Sequence, residues 1–348
     1  MLQNLMEQMT AQQALNPEQI VVAVQGLVDP EISVELKASF LSALANKGET
    51  VEEISVFASE LRKLSIQPIL PVELRNREIL DVCGTGGDRL NTFNISTTVS
   101  LVAAASGLVV AKHGNRAITS QSGSADVLEE LGVPINLTPE QAVRSLQEHN
   151  FAFFLAVNYH PAFKHIGPAR RLCAERSQPT IFNFLGPLLN PVQPSAQLLG
   201  VARAGLCLPV AGVLQSLGVR RGMVVSGNAG ENRWLDELST LGETTIAEFY
   251  QDRAMSLSTV DPNDFGLERS QLEDLAGGDR RHNAQILRAI LSGEERGPKR
   301  EAVLLNAGAA LFVGAKTRSI VEGIECAAEV IDSGAATKKL AEICRGSQ

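Results

Sequence analysis

The sequence predicts an α/β protein in which a small helical N-terminal domain precedes a larger α/β domain with a central mixed sheet. Two features of the 348-residue chain carry this prediction. Residues 1–75 show helix periodicity with little strand signal, whereas residues 76–348 alternate short apolar runs with helical stretches. A later segment, about residues 165–190, is a candidate to join the helical domain.

Helices are the expected elements of the N-terminal domain. Residues 12–27 and 33–47 repeat apolar side chains largely on one helical face. A third helix is predicted from the N-cap residue Thr50 to Leu61, because Glu53 stands where a capping box needs it. No chemical motif lies in these helices, so they predict packing or subunit contacts.

The α/β domain is predicted to begin after a linker marked by Pro68 and Pro71. Apolar runs predict its strands, at residues 79–82, 107–111, 151–157, 197–201, 222–225 and 245–249. Helices are predicted at 126–131 and 138–149. Two prolines and a glycine in 186–191 predict a rigid turn, and the small residues within 302–312 predict a closely packed core helix.

A glycine-rich turn follows the first of these strands. In the segment GTGGD, residues 84–88, glycines expose consecutive backbone N–H groups that can cradle a phosphate. Such a turn is as often structural when it stands alone. It also lacks the Gly-Lys-Ser/Thr ending and the GxGxxG register, which disfavours a nucleoside triphosphate or dinucleotide site.

Two further segments bring anion-binding groups to the same edge of the predicted sheet. Asn94, Ser96 and Thr97 precede an apolar helix, and a helix N-terminus favours an anion. Lys112 and Arg116 follow another strand and lead through a Ser/Thr-rich loop to Ser124. The three segments together predict a site for a phosphorylated ligand.

Composition limits the partners of this chain. The formal net charge of −8 and the sequence pI of about 5.3 argue against nucleic acid as the main partner. Five cysteines without a CxxC pair indicate neither a zinc site nor a disulfide framework. The N-terminus does not read as a secretion signal, and no apolar run is long enough to span a membrane, so we expect a cytoplasmic protein.

Seven short motifs occur in a fixed order along the chain: GTGGD, NIST, KHGNR, SGSADVLE, YHPA, FNFLGPL and DELS. With this order they resemble the anthranilate phosphoribosyltransferase family, and the resemblance covers nearly the whole chain. It implies a nucleoside phosphorylase-like fold and a homodimer formed through the N-terminal helices. It also implies transfer of a phosphoribosyl group from 5-phosphoribosyl-1-pyrophosphate to anthranilate, with Mg²⁺, two ions per site, as the cofactor.

The resemblance also implies individual site residues. Phosphoribosyl pyrophosphate contacts are expected at Gly84, Gly87, Asp88, Thr92, Asn94, Ser96, Thr97, Lys112 and Ser124. Anthranilate contacts are expected at Gly84, Asn115 and Arg170, and magnesium contacts at Ser96, Asp236 and Glu237. No dedicated nucleophile, acid or base is expected, since an aromatic amine is itself nucleophilic. His113 and His160 are expected to form hydrogen bonds in the pocket.

Structural roles compete with three of these assignments. Asp88 would then stabilise its own turn, Asp236 and Glu237 would form a solvated acidic surface, and Arg170 would lie on a helix surface. The chain also departs from the family pattern in three places. The connection from Arg170 to Thr180 is longer, Val157 and Asn158 stand where a proline is common, and the loop before Asp236 is long.

Two other functions remain open at this point. A pyrimidine nucleoside phosphorylase shares the expected fold and a similar glycine-rich loop, although KHGNR replaces its Lys-x-Ser-Gly-Arg type of segment and the Asp236-Glu237 pair has no evident use in its reaction. A catalytically silent nucleic-acid-binding relative is the second alternative. The intact GTGGD segment and the negative net charge argue against it.

Overall fold

A computed structural model of the protein describes residues 1–117, 121–251 and 253–346. Four helices open the chain: α1 (Leu2–Thr10), α2 (Pro17–Val28), α3 (Val34–Lys47) and α4 (Val51–Lys63). The sequence pattern does not single out α1. The predicted start of α2 at residue 12 is wrong, because Asn16 caps the helix and forms a capping box with Gln19. The capping box of Thr50 and Glu53 at the start of α4 is confirmed.

A mixed sheet forms the centre of the remaining chain, which confirms the predicted fold class. Its strands follow the order β3-β2-β1-β4-β5-β7-β8, with the short β6 paired to β5. Strands β1 to β5 run parallel to one another, whereas β6 and β7 are antiparallel to β5, and β8 is antiparallel to β7. The strands are β1 (Ile79–Gly84), β2 (Val109–Gly114), β3 (Phe151–Leu155), β4 (Ala196–Gly200), β5 (Arg221–Asn228), β6 (Trp234–Leu235), β7 (Thr244–Tyr250) and β8 (Ser256–Val260).

The predicted limits of β1, β4, β5 and β7 shift by one to three residues, and those of β2 and β3 are wrong for reasons that the backbone shows. Strand β2 begins at Val109 rather than 107, because Gly107 has a φ of +97°, which ends the preceding helix turn and is incompatible with an extended strand. Strand β3 ends at Leu155, and residues 156–159 form a helical turn instead of continuing the strand.

Helices cover both faces of the sheet. They are α5 (Val72–Arg75), α6 (Ile95–Ala105), α7 (Ser124–Glu130), α8 (Pro139–His149), α9 (Ala156–Tyr159), α10 (Phe163–Glu175), α11 (Phe182–Leu188), α12 (Cys207–Ser216), α13 (Arg280–Leu291), α14 (Pro298–Val313), α15 (Ile320–Asp332) and α16 (Ala335–Arg345). Among the described residues, none of the helices combines the length and the apolar character needed to cross a membrane.

The predicted turn at 186–191 is partly wrong, since Gly186 and Pro187 lie in the last turn of the short helix α11. A proline there removes one intrahelical hydrogen bond, and the burial of Leu185 and Leu188 offsets that loss. The chain leaves the helix at Leu189.

Two large apolar cores lie on opposite faces of the sheet, and a smaller apolar cluster joins α8 to β2 and β3. One is formed by α6, α7 and α13 to α16 against strands β1 to β5. The other joins α1 to α4 with α10, α11 and α12, and it reaches β4, β5 and β7. Helix α10 packs against α2 and α3, and α11 packs against α4, so a later part of the chain returns to the N-terminal helices.

Candidate active site

The segment containing Asp236 and Glu237 lies across the carboxyl ends of β1, β4 and β5. Three glycines leave room for it there. A Cβ at Gly84 would lie 2.6 Å from the Asp236 carboxylate, and one at Gly200 would lie 1.5 Å from the Asp236 carbonyl oxygen. A Cβ at Gly227 would lie 2.7 Å from the Glu237 carbonyl oxygen. The site therefore depends on the absence of side chains at three strand ends.

A β-hairpin delivers this segment to the sheet edge. Gly227 and Asn228 of β5 pair with Leu235 and Trp234 of β6, and Asp236 follows directly. The loop before Asp236, which is long for the family, is the connection of this hairpin. Three consecutive residues of the connection, 230–232, have positive φ angles between 51° and 76°. Tight backbone turning thus reverses the chain over the strand ends.

The Asp236 carboxylate binds the glycine-rich turn. It accepts a hydrogen bond of 2.6 Å from the Gly86 N–H and one of 3.4 Å from the Thr85 hydroxyl. Gly86 has a φ of +70°, which aims this N–H into the site and favours glycine. Burial raises the pKa of Asp236 well above its usual range, and the charges of Asp88 and Glu237 raise it further. The glycine-rich turn thus binds a carboxyl group of the same chain.

Glu237 is the second buried carboxylate, with only 7% of its surface exposed. Burial raises its pKa to about 8, although the charge of Lys112 and the N–H and hydroxyl of Ser96 oppose the rise. Two buried neighbouring carboxylates repel each other, and a cation between them would relieve that repulsion. The alternative of a solvated acidic surface therefore does not fit the burial of these two residues.

The oxygen donors of this edge fit a hard cation. Mg²⁺ prefers carboxylate and hydroxyl oxygens and usually keeps several waters or takes phosphate oxygens from its substrate. Among residues 1–117, 121–251 and 253–346, no group of three or more His, Cys, Asp or Glu side chains gathers around one point. A magnesium ion at Asp236 and Glu237 would thus need ligands from water or substrate.

Lys112 lies beneath these carboxylates and is 2% exposed. Its ammonium donates a hydrogen bond of 2.7 Å to the Val82 carbonyl, and burial lowers its pKa while Asp81 opposes that change. Asp81 is itself fully buried and accepts 2.9 Å from the Asn190 amide. Burial raises the pKa of Asp81 to about 6. Asn190 was predicted to lie in a turn. Its amide in fact binds Asp81, which lies beside Lys112 beneath the two carboxylates.

The N-terminus of α6 contributes Ser96 and Thr97. The hydroxyl of Thr97 is buried and has no hydrogen-bond partner in the described part of the chain. Asn94 occupies the N-cap position, but its side chain does not cap the helix. Its carbonyl oxygen accepts 2.9 Å from the Asn283 amide on α13. Asn283 was not predicted, because nothing in the sequence connects α13 with the phosphate motifs.

The other residues predicted to contact phosphoribosyl pyrophosphate include three in or near the glycine-rich turn. Gly87 is exposed, and Thr92 pairs its backbone with Ala276. The Asp88 carboxylate accepts a hydrogen bond of 3.2 Å from the Leu90 N–H, so this residue does stabilise its own turn. It also faces the buried carboxylates closely enough to raise the pKa of both.

Arg116 does not contribute to the phosphate edge, contrary to the prediction. Its guanidinium binds Asp126 at 3.1 Å and Glu129 at 2.8 Å, both on α7. These partners follow Arg116 by ten and thirteen residues, so the side chain is paired with the next helix along the chain. Ser124 donates 3.4 Å to the carbonyl of Asn115, which is exposed. Residues 118–120 of the predicted Ser/Thr-rich loop lie outside the described residues.

Arg170 lies apart from these groups, on α10. Its half-buried guanidinium carbon is 4.7 Å from the centre of the Phe182 ring, and burial lowers its pKa. A series of neighbouring rings connects Phe182 with β2. The ring centroids are 5.8 Å apart between Phe182 and Phe163, 5.0 Å between Phe163 and His160, and 5.3 Å between His160 and His113. Burial lowers the pKa of His113 to about 3 and that of His160 to about 4, which keeps both neutral.

A cavity of about 580 Å³ opens beside the glycine-rich turn. Its walls come from the end of α3, from the turn itself, from the connection into α11 and from the segment after β4. The longer connection after Arg170 supplies Gln178, Pro179 and Thr180 to this wall. Asn115 and Arg170 are not among the residues that line it. The structure therefore brings the residues predicted to contact phosphoribosyl pyrophosphate to one sheet edge. It leaves Asn115 and Arg170, two of the three residues predicted to contact anthranilate, outside the lining of this cavity.

Comparison with known proteins extends over the whole chain. Residues 76–337 match a family model described as glycosyl transferase family, a/b domain, and residues 3–65 match its helical bundle domain. An anthranilate phosphoribosyltransferase of Alkaliphilus metalliredigens is 44% identical over 348 residues, which are 100% of this chain and 99% of that protein. The Lacticaseibacillus casei enzyme of the same name is 45% identical over 98% of this chain and 96% of its own.

Solved structures agree with these relatives. The anthranilate phosphoribosyltransferase of Thermus thermophilus superimposes with a TM-score of 0.88 at 38% identity, covering 98% of both chains. The Saccharomyces cerevisiae enzyme in complex with phosphoribosyl pyrophosphate and magnesium gives a TM-score of 0.87 at 28% identity, covering 99% of this chain and 97% of that one.

Proposed function

This chain belongs to the anthranilate phosphoribosyltransferase family, and we propose on that premise that it transfers the phosphoribosyl group of 5-phosphoribosyl-1-pyrophosphate to the amine of anthranilate. The products are N-(5-phosphoribosyl)anthranilate and pyrophosphate, a step of tryptophan biosynthesis. The observation that carries the proposal is the Asp236-Glu237 segment, which lies on the glycine-rich turn at the edge that also holds Lys112 and the start of α6.

The donor is proposed to bind at this edge. The turn supplies backbone N–H groups, the N-terminus of α6 supplies a favourable dipole, and Lys112 supplies a buried positive charge. These are the groups that a pyrophosphate and a ribose phosphate need. The proposed donor contacts are Gly84, Gly87, Asp88, Thr92, Asn94, Ser96, Thr97, Lys112 and Ser124.

Ser96, Asp236 and Glu237 are proposed to hold magnesium, with two ions in each site. Bound there, magnesium would neutralise the negative charge that develops on the departing pyrophosphate. The carboxylates themselves could not stabilise that charge, because like charges repel. Their role is to hold cations next to a leaving group, and their burial in a tight glycine cradle suits that role.

Gly84, Asn115 and Arg170 are proposed to bind anthranilate. A guanidinium can hold a carboxylate through two parallel hydrogen bonds, and the rings beside Arg170 offer an apolar surface for an aromatic acceptor. His113 and His160 stay neutral, so we assign them hydrogen bonding rather than proton donation. The amine of the acceptor attacks C1 without a protein nucleophile.

A fluorescence assay tests this proposal. Anthranilate fluorescence should fall when the protein, phosphoribosyl pyrophosphate and magnesium are combined, and it should stay constant when any one of them is omitted. A parallel reaction with a pyrimidine nucleoside and inorganic phosphate tests the phosphorylase alternative. Release of the pyrimidine base in the parallel reaction, together with unchanged anthranilate fluorescence in the first one, would contradict our assignment.

The proposal extends to a cytoplasmic homodimer formed through the N-terminal helices. In the single chain, α1 to α3 and the loop between α2 and α3 keep several apolar side chains only partly buried, namely Met6, Val22, Val28, Ile32, Val34, Leu36 and Ala43. A second subunit could cover such a surface. Light scattering after size-exclusion chromatography measures the mass, and a value of one chain would contradict the dimer.

A further inference from the structure

Asn306, in the middle of α14, is completely buried and has both ends of its amide bound. Its Oδ1 accepts a hydrogen bond of 2.9 Å from the Leu238 N–H, and its Nδ2 donates at 2.9 Å to the Leu238 carbonyl. The same Nδ2 donates at 2.9 Å to the carbonyl of Ala302, one turn earlier in α14. Leu238 directly follows Glu237 in the chain, so the Asn306 amide binds the backbone of the residue next to the two carboxylates.

Core packing does not require an amide at this position. The close crossing of α14 and α15 depends on Gly308, where a Cβ would lie 2.8 Å from the Ile320 carbonyl and 2.7 Å from the Ile324 side chain. Asn306 instead sits among apolar neighbours, where an amide is costly unless all its groups are bonded. Its complete pairing with Leu238 indicates that the amide is there to hold that segment.

The segment after β6 is fixed at three successive points. Asp236 binds the Gly86 N–H, Leu238 binds Asn306, and the Ser239 hydroxyl donates 2.8 Å to the Asn228 carbonyl. Of these three points, the middle one comes from a helix that packs on the sheet. Helix α14 also packs against α6, whose first turn carries Ser96. One helix thus supports both parts of the chain that supply the proposed magnesium ligands.

We propose that Asn306 is a positioning residue for the Asp236 and Glu237 carboxylates. By binding both backbone groups of Leu238, it fixes the position and orientation of the two carboxylates relative to the strand ends. The inference rests on the proposed magnesium role of these carboxylates. Asn306 touches neither substrate nor metal and acts through the backbone of its neighbour.

The test compares variants of α14 by calorimetric binding of phosphoribosyl pyrophosphate at a series of magnesium concentrations. Asn306→Ala removes all three hydrogen bonds and should raise the magnesium concentration at half-maximal donor binding by roughly 10- to 100-fold, as expected for partners that orient metal ligands. Val313→Ala removes buried apolar volume two turns further along the same helix and serves as the control. It should lower the melting temperature without moving the magnesium midpoint.

Asn306→Asp provides a second variant in case the alanine protein fails to fold. A buried, protonated carboxyl can still accept from the Leu238 N–H and donate to the Leu238 carbonyl, so its midpoint should lie between wild type and Asn306→Ala. Equal magnesium midpoints for wild type and the folded Asn306 variants, whatever their melting temperatures, would overturn the inference.

Asp236→Asn separates this inference from the proposed function. If Asp236→Asn raises the magnesium midpoint and the Asn306 variants do not, the positioning role of Asn306 is wrong and the metal role stands. If Asp236→Asn also leaves the midpoint unchanged, the assigned metal role is wrong, and the inference built on it falls as well.

Discussion

The regions proposed to bind the phosphoribosyl donor and the anthranilate acceptor differ in burial. On the donor side, Asp236, Glu237 and Lys112 are each at least 93% buried. Asp236 accepts a hydrogen bond from a backbone N–H at 2.6 Å, and Lys112 donates one to a backbone carbonyl at 2.7 Å. On the acceptor side, Asn115 is exposed and Arg170 is half-buried beside a ring. In the proposed assignment, the leaving group therefore binds to buried, hydrogen-bonded groups, whereas the aromatic acceptor binds to more exposed ones.

The largest effect is expected at Gly200, which tests the rigidity of the donor side. In Gly200→Ala the new Cβ would coincide with the Asp236 carbonyl, 1.5 Å away, so the segment must move. We expect donor binding to be lost and activity to fall by more than roughly 10³-fold, because small displacements at such sites are costly. Gly205→Ala, where nothing lies within 4 Å of the added Cβ, is the matched control. Wild-type donor binding in Gly200→Ala would show that the cradle is not rigid.

A smaller effect is expected when the carboxylate charges are removed and their shapes are kept. Asp236→Asn combined with Glu237→Gln should lower kcat/KM at limiting magnesium by roughly 10²- to 10³-fold, about 3 to 4 kcal/mol. Excess magnesium should restore part of the rate, because the carboxylates act by holding the cation. A general base would behave differently, with a loss of kcat that magnesium cannot relieve. Titration of magnesium against the double variant decides between these patterns.

Arg170→Ala tests whether the acceptor side is separate from the donor side. Loss of a charge-assisted pair should lower kcat/KM for anthranilate by about 2 kcal/mol, while calorimetric donor binding changes little. Arg170→Lys should recover only part of the loss, since an ammonium cannot form the two parallel hydrogen bonds. An equal collapse of donor binding would place Arg170 in the phosphate site or in the fold.

The smallest effect concerns the pH dependence of stability on the acceptor side. Burial lowers the folded-state pKa of His160 to about 4, below an unfolded value of 6.5. The unfolded chain therefore binds the extra proton first, and stability is lost as the pH falls from 6.5 towards 4. His160→Gln should flatten this loss by roughly 1 to 2 kcal/mol in urea unfolding measured at several pH values. An unchanged pH slope would mean that His160 is not buried as a neutral ring.

The sequence predicts features that depend on local patterns. Thr50 and Glu53 are a capping box within four residues, and the alternation of apolar runs after Pro71 predicts the mixed sheet. Motif order was also sufficient to identify the family. These signals are local or ordered along the chain, so a single sequence contains them.

Features that depend on distant contacts were not predicted. Asn190 and Asn306 bind Asp81 and Leu238 across 109 and 68 residues, and Gly200 matters only because the β5–β6 hairpin returns over it. The pairing of Arg116 with α7 shows the opposite error, because its position in a motif suggested a phosphate contact. In each case the role follows from three-dimensional placement that residue type alone does not encode.

Because the Gly86 N–H donates to Asp236, the Asp236 side chain competes with any anionic ligand for the glycine-rich turn. An incoming anion that needs the Gly86 N–H must replace a carboxylate already bound there at 2.6 Å. The free energy of that internal contact, about 0.5 to 1.5 kcal/mol for a typical hydrogen bond, is therefore subtracted from the intrinsic affinity for the donor. Thermodynamic linkage makes this effect reciprocal. A ligand that binds Asp236 and separates it from the turn should raise the affinity for the donor, and bound donor should raise the affinity for that ligand to the same extent.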